Sequence, residues 1–370
     1  QTPNDLATVA DYAQLTAMLA GRAALLTFNA TDNCCFASDH ALQPLLDAAE
    51  PIFNLYGQPS RLRTHVNYDP GTHNYEVDNR QAFYRVVGEE FFPGEVIYNA
   101  LEIPSESEVK TAAQLEVALP ADNLDFHQLA VALSNNLPRD PKLVERDPDA
   151  ARAKLADIVK FKTQPVVAQP CGSETRGDVT ATFWKLRIGD SWTVPAIELK
   201  RGEPKATTLL VADNGRKSAA AEVEALLADG QRVLAVDPFY FGESKIAQRD
   251  SLLALLVATV GDRPLGIQAS EVAAVARWAC EQFAVAPAKS APLVALHAIG
   301  RRSSTFALVA AALERRAIGA VKLAQPLASL HEVIDGNWTV SEKPELFCFG
   351  LLESFDVPQL RQLIQPAEFR

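Results

Sequence analysis

An aspartate and a histidine early in the chain stand in the settings that general acid–base chemistry needs. The apolar run Leu25-Leu26-Thr27-Phe28 leads through Asn29-Ala30-Thr31 to Asp32. A strand would therefore deliver a carboxylate just past its carboxyl end. His73 follows 41 residues later, in Asp69-Pro70-Gly71-Thr72-His73-Asn74-Tyr75, a glycine-containing loop that leads into a helical pattern. A carboxylate that fixes the imidazole tautomer leaves the other ring nitrogen free to take a nucleophile's proton. An acid after a late strand, followed by a base on the loop before the last helix, is the setting of the rear of a Ser-His-Asp hydrolase. Asp39 and Asp69 are rivals for the acid role. The blander account is a surface aspartate and a histidine that caps a helix.

Composition excludes other classes. Of the 370 residues, 48% are hydrophobic and 22% charged, and the net charge of −11 lacks the basic excess a nucleic-acid surface needs. No run of about 18 apolar residues is present to span a membrane. There is no G-x-G-x-x-G after a strand, no Walker A motif and no H-E-x-x-H, so no cofactor is expected. Cys34, Cys35, Cys171, Cys280 and Cys348 form no C-x-x-C pair, which makes a metal site unexpected and small core residues the expectation for most of them. The adjacent Cys34 and Cys35 could instead be redox active. Glu89-Glu90 and Glu102, Glu106 and Glu108 read as exposed charge clusters, not as a spaced glycosidase pair. The chain opens on Gln1 without a signal-like apolar segment. It reads as soluble, with its compartment open and export one option.

Three regions must position these residues. Residues 1–98 hold the strand at 23–28, an amphipathic stretch before it, and a helix from about Asn79 to Phe91. Residues 99–162 read as a connecting region, with helical candidates at 111–118, 125–135 and 149–158. From 163 onward strands and helices alternate, with strands at 179–188, 192–199, 206–212, 232–236, 293–299 and 320–323 and helices at 218–228, 270–283 and 303–315. That alternation predicts an α/β fold with a doubly wound, mostly parallel sheet. One echo suggests duplication: Asp, Gln and Leu recur at the same spacing in 11–19 and 356–364, 345 residues apart.

The stretch Ala24–Phe36, with Thr64–Tyr75 and Asn79-Arg80-Gln81-Ala82-Phe83-Tyr84-Arg85, resembles the carboxyl-terminal part of the acetyl xylan esterase/dienelactone hydrolase group of α/β-hydrolases. The resemblance covers about residues 10–95, and G-T-H-N-Y and N-R-Q-A-F-Y-R are its most specific portions. It implies that Asp32 is the triad acid and His73 the base. Residues 163–366 look, more weakly, like the first two thirds of the same fold, through Arg232–Ser244. A working elbow would then need G-x-S-x-G after the strand 293–299, where the chain reads His297-Ala298-Ile299-Gly300-Arg301-Arg302-Ser303-Ser304. With Gly300 as the first glycine, the nucleophile position falls on Arg302. Ser303 and Ser304 are out of register, and Ser303 fits a helix N-cap better. The loop after 206–212 reads Ala212-Asp213-Asn214-Gly215 instead of a His-Gly oxyanion motif. Arg301 and Arg302 oppose the helix dipole and read as a solvated loop rather than an anion site. His297 reads as a satisfied core histidine.

Together these readings predict a tandem form. Residues 1–98 would be the rear of a first α/β-hydrolase unit and 163–370 a degenerate second one. The activity expected is serine-type carboxylic ester hydrolysis, with the serine on a missing N-terminal segment or a partner chain, and with small-molecule or carbohydrate esters as substrates. Two alternatives stand. One is a non-catalytic pseudo-hydrolase that serves as a structural or carbohydrate-binding module. The other is a circular permutation of a single sheet, which the repeated D-x-x-Q-L disfavours.

Overall fold

The computed structural model describes residues 3–140, 142–190, 192–246, 252–283, 293–364 and 368–369; Gln1 lies outside them. The chain divides into a smaller unit, Leu6–Asn123, and a larger one made of Gln1–Asp5 with Leu124–Arg370.

In the smaller unit, β1 (Ala24–Asn29) and β2 (Leu62–Asn67) run parallel, with Leu26 opposite Thr64 and Asn29 opposite Asn67. Two parallel strands require a crossover. Here it is the helix Ser38–Leu55, whose Ala49 and Phe53 are fully buried near Ala24. Sequence periodicity misses this helix and β2. Pro44 and Pro51 lie inside the helix and each removes a backbone donor, so the segment reads as broken. The helix after His73 spans Val77–Phe91 and begins two residues before the expected start. Between 111 and 118 there is only a single turn, Ala112–Gln114, in place of the expected helix.

The larger unit holds an eight-stranded sheet in the order β10-β9-β8-β6-β7-β5-β4-β3. Its strands are β3 (Val166–Arg176), β4 (Val179–Ile188), β5 (Trp192–Arg201), β6 (Ala206–Ala212), β7 (Gln231–Val236), β8 (Val294–Ile299), β9 (Ile318–Ala324) and β10 (Glu368–Phe369). Strands β7, β6, β8, β9 and β10 are parallel, whereas β3, β4 and β5 form an antiparallel edge. Alternation along β6 shows how both faces are covered. Leu209 and Val211 join the core beneath the helices Pro264–Gln282 and Arg301–Leu313, while Leu210 and Ala212 point to the helix Ala220–Ala228. A strand buried on both sides must be apolar throughout, which is why this part of the sheet is legible as continuous apolar runs. Strand β3 is mostly exposed and carries Pro170 and Gly172, so it has no apolar signal and goes unpredicted.

Asp11 and Gln14 form a capping box at the helix Tyr12–Ala17: the Gln14 side chain accepts from the Asp11 amide at 2.8 Å. Asp356 and Gln359 repeat the bond at 3.0 Å before Val357–Ile364. Asp125 and Gln128 make it a third time, again followed by leucine, before Phe126–Ser134. The repeated D-x-x-Q-L is thus a way of starting a helix.

Candidate active site

Asp32 lies three residues past the end of β1, and His73 lies on the loop between β2 and the helix Val77–Phe91. The His73 Nδ1 is 3.1 Å from Asp32 Oδ2 and 3.3 Å from Oδ1. The rivals do not share this place: Asp39 sits in the first turn of Ser38–Leu55, and the Asp69 carbonyl accepts from Asn67. The Asp32 side chain is 7% exposed and the His73 side chain 52%. The acid is thus enclosed while the base keeps one face open.

Asp32 is held from several directions. Its Oδ1 accepts the backbone N–H groups of Cys35 at 2.7 Å and Cys34 at 2.8 Å, and its Oδ2 faces the Asn29 amide at 3.3 Å. These bonds, led by the Cys35 amide, hold its carboxyl well below the usual carboxylate range. An ionised carboxylate can only accept, so this bond requires the tautomer with the proton on Nδ1, in which Nε2 carries the lone pair.

Four buried or half-buried asparagines fix the two loops around this pair, and sequence reasoning does not find them. Asn29 Nδ2 donates to the Asn74 carbonyl at 3.1 Å, and Asn79 Nδ2 donates to Asn29 Oδ1 at 3.0 Å. Asn67, fully buried, accepts from the Gly71 amide at 3.0 Å and from Asn74 Nδ2 at 3.2 Å. Gly71 has φ +71°, and a Cβ there would meet the Tyr68 carbonyl oxygen at 3.1 Å, so the turn that presents His73 favours glycine. Arg80 then clamps the following helix to Glu102 with two bonds of 2.6 and 2.7 Å. The signal was present in G-T-H-N-Y and N-R-Q-A-F-Y-R, since both runs contain members of this network. A second His–Asp pair, His65 Nε2 with Asp78 Oδ2 at 2.8 Å, was also missed; it lies on β2 and the first turn of the helix.

The larger unit differs at the corresponding strand-to-helix turn. Strand β8 ends at Ile299 and the helix begins at Arg301, leaving Gly300 as the only junction residue, with φ +111° and ψ 170°. The sharp corner between strand and helix is thus Gly300 itself, two residues before Arg302. A Cβ on Gly300 would lie 2.2 Å from the Asp213 carboxyl carbon. Asp213 accepts the amides of Ser303 at 2.7 Å and Arg302 at 3.2 Å, so its carboxylate caps the helix and fills the space beside the Gly300 turn.

Arg302 is not solvated as expected. Its guanidinium forms a bidentate pair with Glu345 at 2.5 and 3.0 Å, and Glu345 is fully buried. Arg301 remains exposed over the Trp338 ring. Ser303 is buried and donates its hydroxyl to the Ile299 carbonyl at 2.7 Å. His297 is buried, as expected of a core residue, but its Nδ1 has no hydrogen-bond partner among the described residues. Of the cysteines only Cys280 and Cys348 are buried, whereas Cys34, Cys35 and Cys171 are exposed, contrary to the core expectation.

No protein-family model matches the sequence, and no curated protein matches it either. Solved structures do. One assigned as an acetyl xylan esterase from Bacteroides fragilis aligns over 68% of this chain and 76% of its own, at 15% identity and a TM-score of 0.54. Acetyl xylan esterase 1 from Thermoanaerobacterium is more distant, at 13% identity and a TM-score of 0.40 over 65% of this chain and 77% of its own. At such identities the first likeness establishes the fold and leaves the chemistry open. No helix among the described residues is long and apolar enough to cross a membrane.

Proposed function

We propose, from the α/β-hydrolase fold this chain shares with its structural neighbours, that Asp32 and His73 are the acid and base of a serine-type carboxylic ester hydrolase. The observation that carries the reading is the His73–Asp32 bond at 3.1 Å, with the carboxylate enclosed and Nε2 without a hydrogen bond among the described residues. In this mechanism Nε2 takes the proton of an attacking hydroxyl and returns it to the leaving alkoxide. Asp32 fixes the tautomer and stabilises the imidazolium that forms. Water then repeats the sequence on the acyl intermediate, giving acid and alcohol.

The attacking serine is proposed to come from outside residues 1–370, whether on a preceding segment or a partner chain. The blocked Gly300 turn supports this assignment, because it offers no hydroxyl at the strand-to-helix corner. Small carboxylic esters, acetylated carbohydrates among them, are the proposed substrates. The tandem organisation, with 1–98 as the rear of one hydrolase unit, 99–162 as a connection and 163–370 as a degenerate second unit, belongs to the same proposal.

The second reading, a non-catalytic structural or carbohydrate-binding module, is favoured for the larger unit by Asp213 seated beside the Gly300 turn. A p-nitrophenyl acetate assay combined with a fluorophosphonate probe separates the two. The hydrolase reading expects turnover and labelling of a serine outside this chain. Absence of both, in the chain alone and in its natural assembly, would leave the module.

A further inference from the structure

We infer that Cys34, Cys35 and His73 form a binding site for a thiophilic divalent cation such as Zn²⁺. The two sulfurs and a ring nitrogen of His73 lie within 4.8 Å of one another, and all three residues are exposed. No other group of this kind occurs among the described residues. No sequence motif announces it, since the ligands are two adjacent cysteines and a histidine 38 residues further on.

The geometry follows from Asp32. Its Oδ1 gathers the amides of both cysteines, at 2.8 and 2.7 Å, which wraps residues 34–35 tightly over the carboxylate. The same carboxylate holds the imidazole through Nδ1. Both thiols therefore leave the backbone beside the ring that Asp32 orients. A carboxylate bonded to one imidazole nitrogen is the usual outer partner of a metal-bound histidine, because it fixes the tautomer and directs the other lone pair at the ion. With Nδ1 bonded to Asp32, Nε2 is the nitrogen left to ligate an ion.

Tetrahedral zinc with sulfurs at about 2.3 Å and a nitrogen at about 2.0 Å needs its ligand atoms roughly 3.5–3.8 Å apart. The three ligand atoms, within 4.8 Å of one another on exposed side chains, would have to close to that spacing around the ion. Three protein ligands leave the fourth position to water, the pattern of an open zinc site. Thiolates and imidazole select zinc, cobalt or cadmium over magnesium or calcium. A bound ion would occupy the nitrogen that acts as base. Inhibition of ester hydrolysis by the ion is therefore a consequence that rests on the proposed function, while the binding does not.

Cobalt tests the binding directly. The reduced, chelator-treated full chain is titrated with Co²⁺ and then with Zn²⁺. One Co²⁺ per chain is expected, with a sulfur-to-cobalt charge-transfer band and tetrahedral visible bands that Zn²⁺ abolishes. Cys34→Ser and Cys35→Ser should each weaken the charge-transfer band and lower affinity at least tenfold, and His73→Ala likewise. Asp32→Asn should lower affinity about 10- to 100-fold through the loss of the outer partner. Cys171→Ser should change nothing, and far-UV circular dichroism checks that each variant folds. Absence of a charge-transfer band at saturating Co²⁺, or a band unchanged in both Cys34→Ser and Cys35→Ser, would overturn the site. Because the readout is optical, a chain that binds Co²⁺ while its natural assembly supports no hydrolysis would sink the hydrolase reading alone.

Discussion

Two strand ends in this molecule have been treated in opposite ways. At the end of β1 the smaller unit presents Asp32 and His73 with one ring nitrogen unbonded among the described residues and half the imidazole exposed. Near the carboxyl ends of β6, β7 and β8 the larger unit pairs its charged side chains with one another or with backbone. Asp213 caps a helix, Arg302 pairs with Glu345, and Arg216 pairs with the buried Asp237 and with Glu243. Polar groups of the same chemical types thus yield an open site in one place and structural bonds in the other. What separates them is whether a donor or acceptor is left over. Function needs a group with capacity to spare, whereas stability needs every buried group satisfied.

This contrast predicts where substitutions will hurt. The largest stability loss should come from Glu345→Ala, which strands the Arg302 guanidinium in a site where its partner is fully buried; losing one member of such a pair costs about 3–5 kcal/mol. Denaturant unfolding of the larger unit measures it, and a loss well under 1 kcal/mol would show that water reaches the arginine.

Next comes Glu271, fully enclosed with only the Phe239 amide donating to it at 2.6 Å. Burial pushes its carboxyl up to about 8, against 4.5 for an ordinary glutamate. The native state therefore holds a proton that the unfolded chain has released between these values. Its contribution is fully present below about pH 4.5 and is lost as pH rises to about 8, a change of a few kcal/mol. Glu271→Gln should flatten that decline. An unchanged slope would contradict the assignment.

Gly300→Ala follows. It places a side chain in a backbone region that is essentially glycine's, which costs on the order of 1–3 kcal/mol, and it also displaces Asp213. A pair Gly300→Ala/Asp213→Ala that recovers part of the loss would sharpen the account of the filled turn; strict additivity would break it. The smallest effect is expected at the open site. His73→Ala should alter stability by only about 0.5 kcal/mol, since an exposed side chain with one partner contributes little. A large loss there would make the pair structural.

Legibility in the sequence followed the same division. Strands β6 and β7 announce themselves because burial on both faces demands the apolar runs Leu209–Ala212 and Val233–Val236, whereas β8 carries His297 and β9 the exposed Lys322. Asp32 and His73 could be placed because a strand end and a glycine turn leave local marks. The asparagines could not, since Asn29, Asn67, Asn74 and Asn79 look like ordinary turn residues until the fold brings four segments together. The turn at Gly300 is set by a dihedral angle, and the letter G alone does not say which place in an elbow motif it would fill. The D-x-x-Q-L echo carries no weight for duplication once Asp125-Phe126-His127-Gln128-Leu129 makes the same capping box. The tandem proposal then rests on the fold likeness and on the two contrasting strand ends.

The central claim is that His73 is a working base whose nucleophile lies outside this chain. The direct measurement is fluorophosphonate labelling of the protein in its natural assembly, with wild type and His73→Ala side by side, followed by mapping of the labelled serine. The account predicts one labelled serine outside residues 1–370, and p-nitrophenyl acetate turnover that falls about 10²–10⁴-fold in His73→Ala. A label on Ser303 or another serine of this chain, or turnover indifferent to His73→Ala, would contradict it.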